Sequence, residues 1–421
     1  MNNNSPNIRH LRAFLAVAEC QSISKATNQV YLSQPAITQA LSKLETSFET
    51  RLFDRKSDGM YLTATGEVFA ERVRRALETI QDGLREALRI GGDRSGARAS
   101  QLINLLTTTQ LRALVTVSAA RSFSLAGRNL GVSQSSLYRS SRDLESLLEI
   151  KLLEKTSTGI TPSKAALSLI RAAKIGFSEV AQGRDEIQSL QNREVGHLHI
   201  GSMALARAAV LPRSINAFSG HYPDFRISIF DGNYDDLLNH LRHAEIDLIV
   251  GALRSPLPSD DVVQVELFQS ELVIVARPDH PYFSSGPLSL DDLAASGWVI
   301  GRPGTPTRRI FERIFTDHGK PVPGQLIESG SQNLSRAILE DSDRLTLISV
   351  HQIQRELNEG ALRVLPYELE GNSRPIGITL RKDWRPTRTQ QVFIDTLKTQ
   401  ATEIDRQIKD AKKRFRARIA R

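Results

Sequence analysis

The chain has 421 residues, 40% hydrophobic and 24% charged, enough for ordinary cores and, at roughly 100–200 residues per domain, for two to four domains. Its one cysteine, Cys20, excludes a disulfide framework and a cysteine zinc site. The longest apolar runs, such as LVIVA at 272–276, fall far short of the roughly 20 residues that span a bilayer. The opening MNNNSPNIRHLRAF has no basic segment followed by a long apolar one, so a cytoplasmic protein is expected. The net charge of +8 is unevenly spread: 26 Lys/Arg against 19 Asp/Glu over residues 1–194, 21 against 25 over 195–401, and 8 against 3 over 402–421. A basic front half joined to a mildly acidic body suggests a polyanion-binding module attached to something that binds another partner.

In chain order, apolar residues at 11, 14, 15 and 17 mark a first helix, and a short second one runs from about Ser24 to Val30. Ser33 then stands where an N-cap belongs, with Pro35 in the first turn, where its missing N–H costs little. The third helix has an apolar stripe of Ile37, Leu41, Leu44 and Phe48, which leaves Gln34, Thr38, Gln39, Ser42 and Lys43 on the opposite face. Amide, hydroxyl and amine groups of this kind reach base edges in a major groove and the phosphates beside it. LFDRKSDGMYLT at 52–63 reads as two short strands around a Gly59 turn, a hairpin carrying Arg55 and Lys56. A long helical pattern follows over 64–90, with Phe69, Val73, Leu77, Ile80, Leu84 and Leu88 every three or four residues. GGDRSGARAS at 91–100 then reads as a flexible joint.

The pattern next repeats. From Leu11–Gly59 to Leu111–Gly159, 15 of 49 positions are identical without a gap, where unrelated sequences would share roughly three. A period near one hundred residues is too long for a solenoid, so each copy should be a small domain. The second copy keeps Ser133, Gln134, Leu137, Leu144, Glu145 and Gly159. Gly131 suits the turn before its third helix better than Tyr31 does in the first copy, because glycine accepts positive φ. Ser135 replaces the proline, and Ser141 replaces a stripe leucine and should weaken packing there. A second long helical pattern, 162–192, carries Ile170, Ala173, Phe177, Val180, Ile187 and Leu190; both long helices read as dimerisation or docking helices. From 195, HLHIGS, LPRSINAFSGHYP, FRISIFDG, YDDLLNHLRHA and IDLIVGAL alternate strand and helix, as in a mostly parallel sheet with helices on both faces.

On these residues the chain resembles the LysR-type bacterial transcriptional regulators. SQPAITQALSKLE, LFDR and LTATGE within residues 8–66 are similar to that family's winged helix-turn-helix, while VGHLHIGS, LPRSINAFSGHYPDF and IDLIVG are similar to the first lobe of its effector domain, a fold shared with type 2 periplasmic binding proteins. The resemblance implies that Ser33, Gln34, Pro35, Thr38, Gln39 and Lys43 contact DNA from the recognition helix, with Arg51, Arg55 and Lys56 on the wing and backbone. In the second copy Ser133, Gln134, Ser135, Arg139 and Arg142 are the matching candidates, a packing or dimerisation role being the alternative. Lys164 is taken to stand where the family has the glycine matched by Gly66. In this family the helix after the wing pairs with a second subunit.

The expected organisation is therefore multidomain: two all-α winged helix-turn-helix domains, then an α/β two-lobed effector domain like a type 2 periplasmic binding protein. The boundaries are 1–90 and 102–194 for the two front domains with their long helices, 91–101 for the joint, 195–401 for the effector domain with its second lobe at about 269–382, and 402–421 for a basic tail. The chain should return to the first lobe through TRTQQVFIDTLKTQ. Ligands of such folds sit between lobes, at the carboxyl ends of strands, where helix N-termini offer free N–H groups. Thr305 before Pro306, with Thr307 and Arg308 behind it, marks one such end; Ser331 caps a second; the loop through Ser202 and Met203 is a third; Arg254 is a further anion-binding candidate. At Leu205 many relatives place a hydroxyl.

RPGTPTRR, LEDSDRLTLIS and RPIGITLRKDW resemble a subgroup that includes regulators of sugar-binding-protein genes, which implies a sugar or sugar acid as effector. The expected partners are double-stranded DNA, that small molecule, further copies of the chain as a dimer or tetramer, and RNA polymerase, with no membrane. A solute-binding protein of the same body fold would need a secretion signal. No GxSxG, GxxxxGK[ST], HExxH or GxGxxG occurs, and the pairs His197/His199 and His240/His243 have no further ligands beside them, so neither an enzyme, a cofactor nor a metal is expected.

Overall fold

The computed structural model describes residues 6–93 and 97–419. The chain falls into two compact units, one comprising residues up to His197 with His243–Glu245, the other Leu198–Arg242 and Ile246–Arg421.

The first unit runs α1 (Ile8–Cys20), α2 (Ile23–Val30), α3 (Gln34–Phe48), β1 (Phe53–Lys56), β2 (Gly59–Leu62) and α4 (Ala64–Ile90). After α5 (Ala97–Leu102), the same order recurs as α6 (Thr108–Ala120), α7 (Phe123–Leu130), α8 (Gln134–Leu148), β3 (Leu153–Thr156), β4 (Gly159–Pro162) and α9 (Lys164–Leu190). Hydroxyl caps set the starts: Ser22 accepts from Lys25 N–H, Ser122 from Leu125, Thr63 from Gly66 and Ser163 from Ala166. The residues closing α2 and α7 are left-handed, Tyr31 at φ 56° and Gly131 at φ 68°, as the turn requires.

Local devices that seat the hairpins recur at the same offset. Glu45 Oε1 accepts from Leu52 N–H at 2.9 Å and Phe53 N–H at 3.3 Å, as Glu145 does from Leu152 at 2.8 Å and Leu153 at 3.0 Å. Met60 and Ile160 donate to the Gln21 and Arg121 carbonyls, so close that a Cβ at Gly59 or Gly159 would meet those oxygens at 2.9 and 2.7 Å.

Three expectations change. The N-caps Thr63 and Ser163 set Ala166, not Lys164, opposite Gly66; Lys164 matches Ala64. The joint is partly helical: α5 begins at Ala97, and Ala99 and Leu102 are buried, because the apolar residues after the glycines pack into the second core. Residues 94–96 of that joint lie outside the described residues. Finally, α4 packs along α9 of its own chain, so the partner expected from a second subunit is supplied by the second copy.

The second unit contains β5 (Gly196–Ser202), α10 (Ala204–Ala208), α11 (Val210–Ser219), β6 (Phe225–Asp231), α12 (Tyr234–Arg242), β7 (Leu248–Ala252) and the long β8 (Val262–Ala276). It continues with α13 (Leu290–Ala295), β9 (Trp298–Ile300), α14 (Pro306–Thr316), β10 (Leu326–Glu328), α15 (Gln332–Glu340), β11 (Thr346–Ser349) and α16 (Gln354–Glu359). The last elements are β12 (Arg363–Val364), β13 (Ser373–Arg381) and α17 (Arg388–Ile419). The main sheet has the order β11-β8-β13-β7-β5-β6, with β5 parallel to β7.

β8 and β13 run antiparallel and cross between the lobes together, with a register shift between Ile376 and Gly377. Since Ile376–Leu380 already pair with β7, the return to the first lobe falls inside β13, before the expected 382. The first-lobe core gathers Leu198, Ile200, Phe218, Val250 and Ile378 with Phe393, Ile394 and Leu397 of α17, which returns as expected. The second-lobe core is built on Trp298, Phe311 and Phe315, whose rings meet edge to face. The end KKRFRARIAR continues α17 as far as Ile419, and expectations about its side chains lie outside the described residues. Among the described residues, no helix is long and apolar enough to cross a membrane.

Candidate nucleic-acid interface and effector cleft

α3 separates its residues by chemistry. Ile37, Ala40, Leu41, Leu44 and Phe48 are buried, against Phe14, Phe53 and Phe69. Ser33, Gln34, Pro35, Gln39, Ser42 and Lys43 are exposed and Thr38 half-buried. Ser33 takes the extended N-cap conformation but its hydroxyl caps nothing, and Pro35 lies in the first turn. Lys43 makes itself felt nearby: burial first, then the Lys43 charge, hold the His10 imidazole below its ordinary value. On the segment that follows α3 and on its hairpin, Arg51, Arg55 and Lys56 are all exposed, and the Lys56 ammonium sits 5.0 Å from the centre of the Tyr61 ring. A helix presenting amide, hydroxyl and cationic groups, followed by a hairpin that carries the exposed cations Arg55 and Lys56 between Asp54 and Asp58, has the chemistry of base-edge and phosphate contact.

α8 is built the same way with a different outer face. Leu137, Leu144 and Leu148 are buried, and so is Ser141, whose Oγ has no hydrogen-bond partner. Ser133 caps the helix through Ser136 N–H. Gln134, Ser135, Tyr138, Arg139 and Arg142 line one open concavity. Arg142 lies 5.1 Å from the Tyr138 ring centre and pairs with Glu145 at 2.6 Å.

In the second unit, a cleft of about 170 Å³ opens between the lobes, comparable to a cavity of about 150 Å³ that admits a single benzene ring. Its lining includes Met203, Thr305, Thr307 and Ser331 of the expected residues, brought together from the end of β5 and the starts of α14 and α15. Thr305 and Ser331 cap those helices through Arg308 and Leu334 N–H. Ser202 is fully buried beside the cleft without lining it. Arg254 lies against the Tyr234 ring, 4.2 Å from its centre. Arg308 is buried with its charge satisfied, at 2.7 Å from Glu312 and 2.6 Å from Glu328. Neither arginine lines the cleft.

The cation that does line it is Arg374 of β13, which the sequence reading missed. Its guanidinium donates to the Thr307 hydroxyl, its Nε has no partner, and no carboxylate among the described residues pairs with it. Burial, then the charge of Arg254, hold it down to about 10. Ser329, Gln332 and Ser335 add further polar groups to the lining. No group of three or more metal-ligating side chains occurs among the described residues.

A helix-turn-helix with a hairpin that exposes Arg55 and Lys56, followed by a two-lobed domain with a cleft between its lobes, defines a DNA-binding regulator that senses a small molecule. The profile described as the LysR substrate binding domain matches residues 191–402, and that of the bacterial regulatory helix-turn-helix protein, lysR family, matches 8–67 and 108–167. The transcriptional regulator GalR of Pseudomonas putida is 30% identical over 376 residues, covering 89% of this chain and 92% of its own. GbpR of Azospirillum brasilense is 25% identical, over 66% and 82%. Among solved structures, ArgP of Mycobacterium tuberculosis shares 16% identity with a TM-score of 0.55, covering 69% of this chain and 96% of its own. CbnR complexed with its target DNA shares 18% identity with a TM-score of 0.50, over 69% and 98%. The chain belongs to the LysR family: it is a DNA-binding transcriptional regulator with an effector-binding domain, not an enzyme.

Proposed function

We propose that the outer face of α3 reads a duplex sequence while Arg51, Arg55 and Lys56 hold its phosphates, and that Ser133, Gln134, Ser135, Arg139 and Arg142 make a second contact. The observation that carries this is the division of α3: its large apolar side chains face the core, and its exposed face is polar and carries Lys43, with the exposed cations Arg51, Arg55 and Lys56 following in the chain. Gel-shift titration over a salt series tests it. A steep loss of affinity with salt and a preference for promoter sequence over scrambled duplex are expected; salt-insensitive or sequence-blind binding contradicts it.

The effector belongs in the cleft between the lobes, and the uncompensated Arg374 favours an anion, so of the two expected classes a sugar acid is preferred to a neutral sugar. Titrating the protein with an aldonic acid and with its parent sugar separates the two, tighter binding of the acid being expected. Met203, Thr305, Thr307 and Ser331 would orient it, with Ser202 supporting the loop. Such a regulator acts in the cytoplasm as an oligomer, with RNA polymerase as a further partner, and the effector changes which DNA sites the front domains reach together.

A further inference from the structure

We propose that one chain carries both readers of a single composite operator: α3 and α8, held in two-fold relation by the α4–α9 pair, address two inverted half-sites of unlike sequence. This rests on the DNA-binding reading above and adds to it the unit of DNA that one chain recognises.

The symmetry is written in contacts that exchange when one hundred is added to one partner and subtracted from the other. Gly83 meets Ala172 and Gly183 meets Arg72, the same pair with its copies exchanged. Gly176 lies against the Ala76 carbonyl, and Ile8 N–H donates to Thr108 Oγ1 at 2.8 Å; each pair maps onto itself, as residues on a two-fold axis do. The cores are exchanged in the same sense. α4 sends Ile80 and Ala87 into the second core, and α9 sends Val180 and Ile187 into the first.

Charge makes this pairing specific. Arg72 is buried on α4 and reaches Glu179 at 2.9 Å, Gln182 at 2.9 Å and Glu186 at 2.6 Å on α9, while Arg75 adds a bond to Glu179 at 3.0 Å. Burial works against the Arg72 charge, but Glu186 and Glu179 outweigh it, so its net shift is upward. The positions matching Arg72 and Arg75 on α9 are Ala172 and Ile175. An α9–α9 pair between two chains would therefore bury Glu179 without these cations, a strongly unfavourable state. The connection between copies is also short and anchored: Ala99, Leu102, Ile103 and Leu106 are buried in the second core, and Arg12 holds the Asn104 and Leu106 carbonyls at 2.7 and 3.2 Å.

Two readers related by a two-fold address half-sites of inverted sense, but these readers differ. Gln34 and Gln134 match, whereas Thr38, Gln39, Ser42 and Lys43 face Tyr138, Arg139, Arg142 and Asp143 in the copy. Glutamine favours adenine and arginine favours guanine in the major groove, so the halves share a core position and diverge beside it.

The test is selection of bound duplexes from a random pool by the full chain, repeated with Gln34→Ala and with Arg139→Ala, both exposed positions. Enriched duplexes should carry two unlike inverted blocks about one helical turn apart, roughly 10–10.5 base pairs. Gln34→Ala should weaken discrimination in one block and Arg139→Ala in the other, each by about tenfold. A single block, or two identical blocks both altered by Gln34→Ala and indifferent to Arg139→Ala, overturns the composite reader while leaving DNA binding intact. Enrichment of no sequence at all overturns the DNA-binding reading beneath it.

Discussion

Ser141 sits in the apolar stripe of α8 at 3% exposure with no partner for its hydroxyl, where α3 has Leu41. An unsatisfied buried hydroxyl costs about 1–3 kcal/mol, so Ser141→Ala should raise stability by about 1 kcal/mol in chemical denaturation; a loss would mean that the hydroxyl has a partner. Arg374 makes the same point with charge. Its value of about 10, below the ordinary arginine range, means that the folded state disfavours its protonation. The sign follows: at neutral pH the charge opposes folding, and the cost fades only as pH rises past about 10. Arg374→Met should therefore leave the melting temperature of the ligand-free protein unchanged or higher, while the response to an acidic effector is lost. Calorimetric melting with effector titration checks both, and a large drop in the ligand-free melting temperature would make Arg374 a structural residue. Arg308 should behave oppositely. Its removal strands Glu328 and Glu312, both part-exposed, for a cost of about 1 kcal/mol and no change in effector affinity.

At the scale of elements, helices were legible wherever burial writes a spacing into the sequence. The stripe of α3, the periodic apolar residues of α4 and those of α9 as far as Ile187, and the hydroxyl caps before α14 and α15 stand where the pattern puts them, whereas Leu190 at the end of α9 is exposed. The cleft was legible to the extent that N-caps mark helix starts, as Thr305 and Ser331 do. What spacing cannot carry is the partner across a gap. Arg308 is neutralised by Glu328, twenty residues away, and Arg374 looks like any other arginine in RPIGITLR until the fold turns it into the cleft without an acid beside it. The partner of α4 was illegible for the same reason, because Arg72 in a charged helix reads as solvated. Buried as it is between Glu179 and Glu186, Arg72→Ala should cost about 3–5 kcal/mol, since it leaves Glu179 buried with only Arg75 to answer it. A cost below 1 kcal/mol would mean that the α4–α9 pair is not held by this arginine.

At the scale of the whole molecule, the pairing of α4 with α9 inside one chain predicts how the protein answers to charge reversal, and pairing between chains would give the opposite result. Arg72→Glu sets three acids together, and Glu179→Arg sets a new cation against Arg72 and Arg75, so each single variant should lower the melting temperature and DNA affinity together. Combined in one chain, the two changes restore an opposite-charge pair in reversed sense, and part of both properties should return. The decisive sample is the mixture of the two single variants, unfolded and refolded together. If α4 packs on α9 of its own chain, every chain in the mixture still contains one mismatched pair and nothing recovers. If the helices pair between chains, α4 of the Arg72→Glu chain meets α9 of the Glu179→Arg chain, and the other two helices form an unaltered pair, so the mixture should recover at least as well as the double variant. The buried connection through Ala99, Leu102 and Leu106 favours the first outcome, and fluorescence anisotropy on an operator fragment, beside a melting curve of the same mixture, measures it.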